Sequence, residues 1–151
     1  MNGYRFIYLF LLFFAISCHN KNQESQPEND LDAARNFIRA ALDGKFDEAK
    51  SYLLQDTTNL TYLNIARNSF DRQDQATRNN YRASSINIHQ VDPLIKDSVT
   101  LVIFSNSFRN DHDSLKVVRI NGRWLVDLKY LYEHDMDTLV NKMIKKDSLN
   151  K

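Results

Sequence analysis

The side chains that could carry covalent, acid–base or metal chemistry are few in this chain of 151 residues, and their spacing matches no catalytic pattern. Cys18 is the single thiol, so an intrachain disulfide is excluded and the thiol is left for modification or for pairing outside the chain. The four histidines, His19, His89, His112 and His134, have neither an i, i+4 partner nor a Cys-x-x-Cys pair beside them, the spacings by which zinc is usually gripped. Asn110, Asp111, His112 and Asp113 could gather oxygens around a cation. They lack the Gly and the distal Glu of a calcium loop, and a solvated turn is the better reading. No Gly-x-Ser-x-Gly elbow, Walker loop or Rossmann fingerprint occurs, and three Gly leave little material for a phosphate cradle. No cofactor and no metal are expected.

Cys18 stands at a boundary. Residues 1–5 carry one positive charge, and residues 6–16 form an apolar run of eleven. A spanning helix needs about 20 apolar residues, whereas the core of a signal peptide needs about 7 to 15. The run is followed by Ala15-Ile16-Ser17-Cys18 and then by a polar stretch. Ala15-Ile16-Ser17-Cys18 resembles the lipobox of bacterial lipoproteins, with Ala15 where the usual Leu stands. The resemblance implies that residues 1–17 are a signal peptide and that the Cys18 thiol receives a diacylglyceryl group. Small Ala15 and Ser17 also satisfy ordinary secretory cleavage, which would leave Cys18 a free N-terminal thiol. Lipidation is the expectation, and with it an exported protein held to a bacterial envelope membrane, on the periplasmic side or at the outer membrane. Asn59-Leu60-Thr61 fits a glycosylation sequon, which a bacterial lipobox makes moot.

Residues 19–29 hold no apolar side chain except Pro27 and read as a tether. Extended, these eleven residues span at most roughly 36 to 40 Å. The domain is expected over residues 30–148, a length that fits one core. Twenty basic against 19 acidic residues leave no overall field to hold nucleic acid or an anionic bilayer.

The elements follow from periodicity. Asp30 or Asp32 is expected to cap a first helix with Leu31, Ala34, Phe37, Ile38, Ala41 and Leu42 on one stripe, ended by Gly44 at C′. Phe46, Ala49, Tyr52 and Leu53 mark a short second helix, and capping residues 56–59 start a third through Leu60, Leu63, Arg67 and Phe70. Residues 71–82 are nearly all polar and read as a solvated helical extension or a loop. Ile86 and Ile88 then begin a half-exposed strand that ends near Asp92-Pro93. Residues 98–108 are apolar on both faces and read as a central strand that includes Phe108. Asn121-Gly122 is the strongest local signal, a type I′ hairpin turn whose second strand puts Trp124, Val126 and Leu128 on one face. Asp135 is expected to cap a last helix with Met136, Leu139, Val140, Met143 and Ile144 on one side, docked on the back of the sheet or on a partner.

The fold class is therefore α+β, N-terminal helices packed on an antiparallel meander with a C-terminal helix added. Ala34-x-x-Phe37-x-x-Ala40, Gly44-x-Phe46-x-x-Ala49 and Gly122-x-Trp124-x-Val126-Asp127 resemble the nuclear-transport-factor-2-like (cystatin-like) superfamily, and within it small lipoproteins of unknown function. The resemblance implies a cone in which helices close over a curved sheet. Enzymes of the superfamily such as ketosteroid isomerases set an Asp base and Tyr donors inside that cone, which nominates Tyr52, Tyr62, Tyr81 and Asp127, with Trp124 lining the same space. Strand alternation opposes this, because Asp127 and Trp124 must face opposite ways. Tyrosines beside Leu and Phe at helical spacing are also ordinary core residues with a wet hydroxyl. The expected function is a non-enzymatic module that takes a small ligand in the cone or an envelope protein at its rim. The alternatives are a small enzyme and an assembly lipoprotein that docks by its C-terminal helix.

Overall fold

Asn29, not Asp30 or Asp32, opens the first helix: its side chain accepts the N–H of Asp32, and α1 runs over Asp30–Leu42. Asp30 is instead drawn into the tertiary structure, where its carboxylate accepts from the Thr100 hydroxyl. The computed structural model describes residues 26–133. Gly44 ends α1 with φ at 75°, and an added Cβ there would stand 2.6 Å from the ring of Phe70, so both conformation and space require glycine. Helix α2 (Phe46–Ser51) and helix α3 (Thr57–Asp71) follow, the latter capped by the Asp56 side chain on the N–H of Asn59.

The polar stretch after α3 is a separate helix, α4 (Gln75–Ala83), capped by Asp74 on Thr77. It buries no side chain fully, which is why no apolar stripe announces it. Arg39 of α1 holds its C-terminal end instead, donating to the carbonyls of Ser84 at 2.8 Å and Arg82 at 3.2 Å while paired with Asp43.

Four strands form one sheet in chain order, all neighbours antiparallel: β1 (Ile86–Ile95), β2 (Val99–Asn106), β3 (Asp113–Ile120) and β4 (Arg123–Asp127). β1 does not stop at Asp92-Pro93. It runs through Pro93 to Ile95 because it is an edge strand, where a missing N–H need not face a neighbour, and it carries two register shifts that blunt that edge. β2 ends at Asn106, so Phe108 lies beyond the strand in the following turn, 39% exposed. Asn121 and Gly122 both take positive φ, 50° and 79°, as the type I′ turn demands. The other side of β4 is also paired: Leu54 N–H donates to Val126 O at 2.9 Å and Val126 N–H to Tyr52 O at 2.8 Å.

Register fixes the two faces. On the inner face Val102 stands opposite Leu115 and Val117 opposite Val126, all of them sealed. Helix α1 lies across all four strands and contributes Ala33, Ala34, Phe37, Ile38 and Ala40 to this core, with Leu53 and Leu63 from the connections and α3. On the outer face Val99, Leu101, Ile103, Val118 and Leu125 are only half-buried. After β4 the chain turns helical over 129–133, with Leu131 and Tyr132 packed against the core. The stripe from Met136 to Ile144 lies outside the described residues, as do Cys18 and the signal and lipobox segments.

Candidate functional site

The five side chains nominated for a pocket occupy separate surroundings. Tyr52 ends α2 with 8% exposure, and its carbonyl closes the edge of β4, which makes it part of the seal between helix and sheet. Tyr62 of α3 stacks on Tyr132 with ring centres 4.5 Å apart and planes 9° from parallel, and its hydroxyl donates to Glu133 at 3.2 Å. Burial, and then Glu133, raise its phenol above the ordinary value. Burial does the same for Tyr132, with Asp113 and Tyr62 adding to it. Tyr81 of α4 meets Phe108 edge-on at 5.1 Å and lies beside Phe70 at 6.3 Å.

Trp124 is on the inner face at the hairpin end, 9% exposed, with the Arg119 guanidinium 5.6 Å above its ring. It lies at the end of the core; Val117 and Val126 hold the centre. Asp127 is on the outer face, as strand alternation requires, and binds Lys116, its partner in register, at 2.8 Å. Trp124 and Asp127 therefore cannot act on one ligand.

One polar cluster is built with more care than any nominated set. Asn59, fully buried, accepts the N–H of Leu128 at 2.6 Å and donates to Asp56 at 2.8 Å. Asp56 also receives the N–H of Asn59 and the Lys129 ammonium at 2.9 Å, and Lys129 lies 3.9 Å from Asp127. The N–H of Asn59 and the Lys129 ammonium hold the Asp56 carboxyl down to about 2, while Asp56 in turn raises Lys129. Both groups are thus fixed in their charged forms. The cluster clamps α3 to the end of β4 through the Asn59 bond to Leu128 and the Asp56 bond to Lys129. Asp56 and Asn59 at cap and third-residue spacing hint at half of it in the sequence; the long-range partners Leu128 and Lys129 leave no local signal.

Strand pairing also joins two histidines that the sequence leaves apart. His89, at a register shift of β1, bonds the Ser105 hydroxyl at 2.8 Å, and His112 stacks on it at 4.1 Å. Two imidazoles are short of a metal site, and among the described residues no group of three or more His, Cys, Asp or Glu could hold an ion. An open groove of about 480 Å³ runs beside α2, with Phe46, Glu48, Arg67 and Asp71 in its walls. Arg67 there is occupied, its guanidinium over the Phe46 ring and bonded to Asp47. No helix among the described residues is long and apolar enough to cross a membrane. Comparison with known protein families, with curated proteins and with solved structures finds no match to this chain.

Proposed function

We propose that this chain is a lipid-anchored protein of the bacterial cell envelope, acylated at Cys18, whose domain of the nuclear-transport-factor-2-like type acts by binding and not by catalysis. The order of elements, helices first and a four-stranded meander after, supports the superfamily reading. One observation carries binding over catalysis. The space between α1 and the sheet is filled by Phe37, Ile38, Val102, Leu115, Val117 and Val126, each at most 6% exposed, and the Asp30 carboxylate beside them is bonded to the Thr100 hydroxyl. With its interior filled, the domain works through its surface, on an envelope protein or on lipid. Charge balance argues against nucleic acid.

Intact mass of the membrane-extracted protein tests the anchor, because acylation adds a defined mass at Cys18 and an unmodified mass rejects it. Native mass spectrometry of the same protein tests the binding mode. A small molecule that leaves on denaturation would reopen the interior as its site, whereas a bare domain leaves the surface.

A further inference from the structure

Three of the exposed large aliphatic side chains gather at one end of the sheet. Leu94 is 56% exposed, Ile95 59% and Ile120 40%. Ile95 pairs with Val99, Val99 with Val118 and Val118 with Leu125, which makes one aliphatic row across the outer face; Ile120 stands one step further out on that face. The turn between β1 and β2 and the β3–β4 hairpin are side by side, joined by the Arg119 N–H on the Ser98 carbonyl at 2.8 Å. Lys96 stands in the first of these turns and Arg123 follows the second on the outer face, and neither is held in an ion pair among the described residues, whereas Arg119 lies on the inner face over Trp124. Asp97 is the one acid in the two turns. Asp30 also stands at this end, but on the inner side, where its carboxylate is bonded to the Thr100 hydroxyl.

The N-terminal side of the chain also arrives here. Asp30, the first residue of α1, is bonded to Thr100 near the start of β2, so the chain enters α1 at this end of the sheet. The segment 129–133 leaves from the far end of β4 and packs on the inner core, away from the outer row.

We propose that this hairpin end rests on an anionic bilayer surface, with Leu94, Ile95 and Ile120 entering the headgroup layer while Lys96 and Arg123 meet lipid phosphates. The inference rests on the lipid-anchored reading, since a tether of at most roughly 40 Å keeps the end at high effective concentration near the membrane and lets a weak contact suffice. Apolar side chains ringed by cations are the chemistry that an anionic interface rewards.

The test uses the mature chain from residue 18 with Cys18→Ser, so that no acyl group contributes, floated with vesicles of equal parts phosphatidylglycerol and phosphatidylcholine or of phosphatidylcholine alone. The expected result is binding to the anionic vesicles only, about fivefold weaker in Arg123→Gln and lost in the Ile95→Asp/Ile120→Asp double variant. The emission of Trp124, the single tryptophan, reports whether each variant is folded. No preference for anionic vesicles overturns the proposal, as does binding that neither variant weakens. A concentration-dependent dimer abolished by the double variant overturns it in favour of a contact between two copies. Each of these failures leaves the anchor untouched, because acylation is judged separately by intact mass of the native chain.

Discussion

On the face of the sheet beneath α1, Val102, Leu115, Val117 and Val126 are at most 1% exposed; on the opposite face Val99, Leu101, Val118 and Leu125, the same kinds of side chain on the same strands, are half open. Composition does not separate the two sets. Cover does: α1 lies across all four strands on one side, while the other carries a row in which Asp92, Leu101, Lys116 and Asp127 stand in register and Lys116 binds Asp127. Aliphatic residues on both faces of a strand mark centrality within a sheet, yet they do not say how many layers the sheet has. Here one face supplies the burial that folds the domain, and the other is half open among the described residues.

The largest expected effect tests the covered face. Trp124→Ala is expected to cost about 3 kcal/mol, the low end for a large aromatic because the residue lies at the end of the core. Urea unfolding followed by circular dichroism measures it, and a loss under about 1 kcal/mol would mean that the inner face is not the folding core. A sharper comparison uses two neighbours. Val117→Thr places a hydroxyl among sealed aliphatic groups and is expected to cost about 1–3 kcal/mol, whereas Val118→Thr on the open face should stay within about 0.5 kcal/mol. Equal losses would erase the distinction between the faces.

The parts of this arrangement legible in the sequence are those governed by neighbours in the chain. Asn121-Gly122 fixes its turn because two adjacent residues must take positive φ, and the α1 stripe follows from spacing alone. α4 was illegible as a separate helix because it is held from outside, by Arg39 on its last carbonyls, and not by an apolar face of its own. The passage of β1 through Pro93 depends on its being an edge strand, which only the sheet order decides. The same limit applies to sites. Tyr62 and Tyr81 are readable as half-apolar helix residues, but which ring each meets is set by packing. Leu94 and Ile95 end β1 and Ile120 ends β3, and they become one patch only through the register of three strands.

Asn59 and Asp56 join the two faces, since Asn59 bonds Leu128 at the end of the covered face and Asp56 shares Lys129 with Asp127 on the open one. Asn59→Ala is expected to cost about 2 kcal/mol because the N–H of Leu128 is left buried without its acceptor. Restoring an acceptor of the same shape with Asn59→Asp should recover part of that loss only if the carboxylate tolerates Asp56 beside it. The smallest effect belongs to Asp56, which is partly open to solvent. Its folded pKa of about 2 lies below the ordinary 3.8, so the unfolded chain binds the proton first as pH falls. The stabilisation from its bonds to Asn59 and Lys129 is therefore complete above about pH 4 and is lost as pH falls toward 2. Thermal melts across that window should show a slope that Asp56→Asn reduces, because the amide still caps α3 but neither titrates nor pairs with Lys129. An unchanged slope in that variant would assign the acid sensitivity to other carboxylates and leave the seam between the faces held by Asn59 alone.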